Sequence, residues 1–326
     1  MPISPATNGQ ANARPRGPAG TLQLMLEPRI VIALAAIYVL WGTSYLAIKQ
    51  AGAEFPPLLL VGLRNLAAGI FFMCVVQLQN RPWGAPRLWV NAAIVGVLMI
   101  SVGATLLAVG LQYVASGVAA VSFAAVPVMV CVVMASRGQR ISRAQWVGTC
   151  IGVSGLLLMN HGATGLQESK SVWLILAAVV ATAASAVLMD HLPMPKDIFV
   201  TTAVMMVIGG GVASLVGWLI GERLGTLSTQ AVVTWLYLSL LVSVLGFLSY
   251  VYLMTKAGPV VASSYAYVNP PIALVAGAWV LGEQVSGQTL VAAVVVLIGA
   301  MTVLFATPPR ALRTSSVTPQ EKDQTP

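Results

Sequence analysis

Arg64 is the one obvious charge inside the apolar blocks of this sequence, and it stands in LLLVGLRNLAAGIFF over 58–72. It follows Pro57 by seven positions, which puts it about 10 Å into that block at a helical rise of about 1.5 Å per residue. A guanidinium at the centre of a bilayer costs on the order of 2.5–3.5 kcal/mol on the insertion scale. Two readings follow. Either the cation faces a cavity and can hold a substrate carboxylate, or it snorkels to an interface or caps a neighbouring helix end.

Aromatic and hydroxyl side chains recur at helical spacing. Tyr38, Trp41 and Tyr45 stand at i, i+3 and i+7 and so share one helix face. They are placed to stack on a flat or apolar ligand, or simply to pack helices. Ser101, Thr105 and Gln112 form one polar stripe; Ser239, Ser243 and Tyr250 form another, with Gly246 between. Such stripes suit a wet cavity, and equally suit hydrogen bonds between membrane helices, worth about 0.6 kcal/mol each. The richest stretch, and the leading candidate for substrate contact, holds Ser263, Ser264, Tyr265, Tyr267 and Asn269. Tyr265 and Asn269 share one face, Ser264 and Tyr267 another, so one pair is expected to face a common cavity.

Other chemistries find little support. Cys74, Cys131 and Cys150 sit in apolar blocks without a C-x-x-C pair, which is the pattern of small packing residues. His161 and His191 are isolated, and no G-x-x-x-x-G-K-[ST] nucleotide loop occurs. Neither metal nor cofactor is expected. Without placed acids, bases or metal ligands inside the apolar blocks, an intramembrane enzyme is a weak alternative. A non-transporting membrane sensor or scaffold is another, but no sizeable soluble domain exists to carry a signal. Glu283, His161 and His191 fall at the ends of apolar blocks, where solvated or capping roles are the default.

The elements that must position these residues are membrane helices. The chain has 326 residues, of which 58% are hydrophobic and 8% charged, against about 25% charged in ordinary soluble domains. Its apolar residues come in non-alternating runs of roughly 20, the length of a helix across about 30 Å of hydrocarbon. A β-barrel would need alternating segments of about 10 residues. Ten spans are predicted, at 30–49, 57–78, 88–111, 115–135, 143–160, 171–189, 198–220, 230–254, 258–281 and 287–306. Residues 1–28 and 307–326 read as disordered cytoplasmic tails. The first apolar stretch is too long for a signal-peptide core.

Placing the N-terminus inside puts 13 Lys and Arg in cytoplasmic segments and 3 (Lys49, Lys170, Arg223) outside, which predicts an N-in, C-in protein. The net charge of +8 is explained by that bias, and no nucleic-acid partner is expected. The partners implied are the bilayer and a small molecule; the oligomeric state is open.

The halves repeat. Gly117–Pro127 (GVAAVSFAAVP) matches Val260–Pro270 (VVASSYAYVNP) at an offset of 143, and Gly138–Ser142 lies over Gly282–Ser286. This sets span 4 over span 9 and span 5 over span 10. An odd unit of five spans makes the second copy enter from the opposite side, an inverted repeat of the kind used by secondary transporters. The units are 29–160 and 171–306. Pro127 and Pro270 occupy matched positions, where a proline removes a ladder hydrogen bond and favours a kink. They read as gating breaks at a midplane site, or as structural kinks, with Pro271 strengthening the second. Gly148-x-x-x-Gly152 and Gly217-x-x-x-Gly221 are read as close-packing motifs.

Several of these segments together resemble the EamA-type drug/metabolite transporter superfamily, and within it the YedA-like inner-membrane exporters of bacteria. They are Leu40-Trp41-Gly42-Thr43-Ser44-Tyr45, Pro56-Pro57 followed by Arg64, Ser116-Gly117-Val118-Ala119-Ala120, and Ala262–Pro270 with Gly282-Glu283. The resemblance spans roughly 30–306. It implies ten helices in two inverted five-helix repeats around a central cavity, in a bacterial inner membrane. It also implies export of amino acids, related metabolites or small toxic compounds. Two departures each remove a carboxylate: Gly110-Leu111-Gln112 stands where many relatives carry an acid, and Gly138-Gln139 stands in place of Gly-Glu. Proton antiport and facilitated diffusion therefore both stay open, with Glu283 the acid to examine if protons are coupled.

Overall fold

The computed structural model describes residues 27–138, 141–161, 166–257, 262 and 265–306, and these are helical with no strand among them. The rods are α1 (Pro28–Ala51), α2 (Pro57–Leu78), α3 (Pro86–Leu111), α4 (Ser116–Ser136), α5 (Arg143–His161), α6 (Leu166–His191), α7 (Ile198–Leu219), α8 (Thr229–Lys256), α9 (Tyr265–Leu281) and α10 (Gly287–Phe305). Seven of the described helices (α1–α4 and α6–α8) are long and apolar enough to cross a membrane; α9 and α10 contain shorter apolar stretches. The predicted tails lie outside the described residues, except Glu27 and Pro28.

Helix starts follow local chemistry. Pro28, Pro57 and Pro86 open α1, α2 and α3, where the missing N–H is no loss and φ is already helical. Asp197 caps α7 by accepting from the Phe199 and Val200 amides, and Ser228 caps α8 by accepting from the Ala231 amide. At the far ends of α4 and α9, Gly138 (φ 75°) and Gly282 (φ 64°) take the left-handed conformation, which costs glycine least. These two glycines lie at matched places in the sequence repeat.

Three pairs of helices are clamped through glycine. A Cβ on Gly62 would strike Ser214, one on Gly210 would lie 2.5 Å from the Leu66 amide nitrogen, and one on Gly96 would strike the Met205 backbone. These contacts fasten α7 to α2 and α3. A Cβ on Gly299 would strike the backbone of Gly152, so the Gly148-x-x-x-Gly152 stretch of α5 packs on α10. The second motif behaves differently: a Cβ on Gly221 (φ 94°) would meet nothing within 4 Å, and this glycine ends α7. Large apolar side chains, among them Ile32, Phe71, Leu219 and Trp279, are exposed, as hydrocarbon-facing surface requires. One contiguous core runs through both halves.

Three rods depart from a regular helix. The predicted span 115–135 is broken at Ala124 and Ala125, so that Val126 and Pro127 begin a fresh helical segment. Its expected partner break is absent: α9 runs as helix through Pro270 and Pro271. α3 and α8 contain π-helical stretches, Val97–Ala104 and Tyr237–Gly246. Those stretches cover corresponding parts of the two halves, with Gly103 and Gly246 separated by the same 143 positions as the sequence repeat.

Candidate functional site

A cavity of about 100 Å³ lies between helices of both halves. Its wall includes Arg64 and Asn65 of α2, Trp41 and Tyr45 of α1, Phe123 of α4, Thr182 of α6, Ser243 of α8 and Tyr265 of α9. That volume is below the ~300–1,000 Å³ of ordinary ligand pockets, so the site is narrowed in this conformation.

Arg64 decides the cavity's chemistry. It is 7% exposed, and its Nε and Nη1 find no hydrogen-bond partner among the described residues. None of the described ion pairs includes it. The snorkelling alternative requires the guanidinium to reach an interface, whereas it lines a central cavity. The described acids, Glu27, Glu54, Glu168, Asp190, Asp197, Glu222 and Glu283, lie outside helices or within three residues of a helix end. No counter-ion from a helix interior therefore reaches the cavity among the described residues.

The neighbouring polar groups are already engaged. Asn65 donates from Nδ2 to the Val61 carbonyl (2.8 Å) and accepts from the Ser243 hydroxyl (3.4 Å). Ser44 donates to the Trp41 carbonyl. Opposite stands an aromatic wall. Trp41 stacks on Tyr250 (centroids 5.3 Å) and meets Tyr265 edge-on (4.9 Å), while Tyr45 meets Phe123 edge-on (5.9 Å).

The π-helical stretches help to seat this wall. The Trp41 indole lies where a Cβ on Gly246 would sit, 2.7 Å from its Nε1, and the Thr182 hydroxyl lies 3.0 Å from a Cβ on Gly103. The same glycine position thus admits Trp41 on one side and Thr182 on the other. Widened π turns of this kind occur often at functional sites.

Of the expected residues, Trp41, Tyr45, Arg64, Ser243 and Tyr265 line this one cavity. Asn269 is buried beside the Tyr45 hydroxyl, behind the cavity wall, so α9 turns its Tyr265–Asn269 face inward. Tyr38 packs against the core off the cavity. Ser101 donates to the Gly209 carbonyl and ties α3 to α7. Thr105 is buried with no partner for its hydroxyl among the described residues, outside the cavity wall. The Tyr267 side chain, Ser263 and Ser264 lie outside the described residues. Asn65, Phe123 and Thr182 were not anticipated. Asn65 carried a signal, a polar amide next to Arg64, whereas Phe123 and Thr182 look like ordinary helix residues.

Glu283 lies away from the cavity, at the end of the bundle that holds the α1–α2, α3–α4, α7–α8 and α9–α10 connections. It accepts from Lys49 Nζ (2.8 Å), the Ser116 hydroxyl (2.7 Å) and the Ser116 amide (2.9 Å). Lys49 also donates to the Val114 carbonyl (2.9 Å). Burial on its own would raise the Glu283 pKa, but Lys49 and Ser116 together hold the carboxyl below its usual range. At the same end Glu222 accepts from the Leu58 and Leu59 amides of α2, and Glu54 accepts from Ser228 at the start of α8. Three carboxylates therefore cap the N-termini of α4, α2 and α8 from other elements, where the helix dipole favours negative charge. At the opposite end Arg81 pairs with Asp197 (2.8 Å) and lies over the Phe199 ring.

A many-helixed membrane protein with a buried, mixed-character cavity at the junction of two similar halves has the architecture of a transporter. The EamA-like transporter family matches the chain twice, over residues 28–161 and 169–305, and the chain belongs to that family. It is 32% identical over 256 residues to the inner membrane transporter YedA of Escherichia coli, covering 78% of this chain and 83% of that one. It is 24% identical over 290 residues to the protein PagO of Salmonella typhimurium, covering 86% and 95%. A crystal structure 16% identical in sequence superposes with a TM-score of 0.59 over 85% of this chain and 97% of its own, a likeness of fold alone. The chain is thus a multi-pass transporter of the inner membrane, in a family of transporters rather than enzymes.

Proposed function

We propose that the chain is a secondary transporter that exports small amphipathic metabolites by alternating access. Its repeat units are 29–160 and 171–306, each of five transmembrane helices, inverted relative to one another, with both termini in the cytoplasm. The observation that carries this reading is the partnerless Arg64 in a cavity walled by both halves. A cation that burial disfavours and no described protein group neutralises is suited to a ligand that arrives with the opposite charge. Trp41, Tyr45, Ser243 and Tyr265 form the first ring around it; Tyr38, Ser101, Thr105 and Asn269 support or flank that ring.

In the N-in orientation the end fastened by Glu283 is the outer one. Lys49, Ser116 and Glu283 then form an outer latch joining α1, α4 and the α9–α10 connection, and the conformation is closed outward. Opening requires α4 and α9 to part, with Pro127 and Pro270 as the flexing points. The ion pair holds Glu283 ionised at neutral pH, so proton coupling through it requires the latch to open first.

The test is uptake by the purified protein in liposomes of a mixed panel of amino acids, nucleobases and small acids, with and without a pH gradient. Saturable uptake of one class, reduced in Arg64→Ala, is the expected result. A folded protein that moves nothing in the panel, in either direction, would sink the transport mechanism proposed here.

A further inference from the structure

The cavity offers a cation with unpaired donors, and neutral oxygens but no anion among its described wall residues. Arg64 lines it, with Nε and Nη1 buried and without a partner among the described residues, and arginine has no acceptor atom. The polar atoms beside it are spent inside the protein: Asn65 between the Val61 carbonyl and Ser243, Ser44 on the Trp41 carbonyl. The rest of the wall near them is Trp41, Tyr45, Phe123 and Tyr265. No described helix interior supplies a carboxylate. A ligand carrying an ammonium would meet an uncompensated guanidinium across a space of about 100 Å³, with no anion to neutralise it. A ligand carrying one carboxylate would instead satisfy the open donors through a charge-assisted pair, which a planar guanidinium forms best in bidentate fashion.

Resting on the reading of this cavity as the substrate site, we infer that the substrate is an organic monoanion. One carboxylate pairs with Arg64 and an apolar or aromatic body lies against Trp41, Tyr45 and Tyr265. Translocation then moves one negative charge. Arg64 stays fixed and charged, and no carboxylate among the described wall residues carries a compensating proton. The membrane potential, negative inside, therefore drives export with no coupled ion. One elementary charge across about 100 mV corresponds to an outward gradient of about 50-fold at equilibrium.

The test has a binding arm and a transport arm. In detergent, the melting temperature of the whole protein is followed with phenylacetate, with phenylalanine as the zwitterion, and with phenethylamine as the cation. Phenylacetate should stabilise the wild type most, phenethylamine should not stabilise it, and the phenylacetate shift should vanish in Arg64→Gln and partly return in Arg64→Lys. Arg64→Met serves the same comparison if the glutamine variant does not fold. In proteoliposomes loaded with labelled phenylacetate, an inside-negative potassium diffusion potential should speed efflux severalfold. Stabilisation by phenethylamine equal to that by phenylacetate overturns the inference. So does a phenylacetate shift that survives in Arg64→Gln. Transport of phenylalanine or phenethylamine in preference to phenylacetate, or efflux indifferent to potential, overturns it while leaving the transporter reading intact. Binding without movement of any of the three counts against the transporter reading instead.

Discussion

Arg64 and Lys49 are two cations of the same half that the fold treats in opposite ways. Lys49 sits at the end of α1 with a carboxylate and a backbone carbonyl as partners, and its carboxylate in turn accepts from Ser116 at the start of α4. Every charge there is matched, and the arrangement joins elements 234 residues apart. Arg64 is more deeply buried and has two donor atoms with no partner among the described residues. A matched charge holds elements together; an unmatched one stores unfavourable free energy that only a ligand relieves. The contrast separates a residue that fastens the bundle from a residue that waits for a substrate.

Removing the unmatched charge gives the largest expected effect. Arg64→Gln should lower uptake on the order of 10–100-fold, the value of one charge-assisted hydrogen bond or two, while the melting temperature stays level or rises. Uptake and melting measured on one preparation check both halves of that statement. A large fall in melting temperature would make Arg64 a structural residue and erase the contrast.

The next effect concerns the platform that carries Arg64. A Cβ on Gly210 of α7 would lie 2.5 Å from the Leu66 amide nitrogen and 3.0 Å from the Asn65 carbonyl carbon, whereas one on Gly211 meets nothing within 4 Å. Gly210→Ala should cost about 1–3 kcal/mol through overpacking and displace Arg64, lowering uptake as well. Gly211→Ala should be neutral or slightly stabilising. Thermal denaturation of the two neighbouring variants reads the difference directly.

Glu283→Ala removes the matched side of the comparison. It frees Lys49 and uncaps α4, a loss of about 1–2 kcal/mol by analogy with other helix caps. The end assigned to the outside should open, so that a cysteine placed at the buried Val114 is alkylated faster in the Glu283→Ala background than in its absence. Acid should do the same more gently. The folded pKa of Glu283 is depressed, so its contribution is fully present above the ordinary carboxylate pKa and is lost as pH falls through the lower folded value. Labelling, taken relative to a free thiol at the same pH because the reacting thiolate itself thins out in acid, should therefore be flat from neutral pH down to that ordinary range and rise only below it. A rise between pH 6 and 7, on the scale where histidine titrates, would assign the latch to a different group.

Much of this was legible in the sequence, and the gaps have physical reasons. Helix positions could be read because apolar runs of membrane length have few other interpretations. Arg64 could be read because a lone charge in such a run is costly. The aromatic face of α1 could be read in part: Trp41 and Tyr45 reach the cavity, and Tyr38 does not. Ser101 shows why polar stripes mislead, since a serine on one helix satisfies itself on the Gly209 carbonyl of another, and no spacing within α3 reveals that. The π-helical stretches left no mark either, because a single extra residue per turn hardly changes an apolar pattern. The break in α4 was foreseen at Pro127 and its partner at Pro270 was not realised. Two consecutive prolines in α9 are tolerated, as prolines in membrane helices are where neighbours or local readjustment re-satisfy the freed carbonyls. Glu283 looked like a capping residue by position, and it is one, but the helix it caps is α4 of the other half.

The most direct test of the contrast pairs uptake with melting temperature in Arg64→Gln and Lys49→Gln, using whichever compound the wild type transports. Arg64→Gln should lose uptake and keep its melting temperature, while Lys49→Gln should lose melting temperature and keep measurable uptake. The reverse pattern, uptake surviving without Arg64 and vanishing without Lys49, would contradict the contrast.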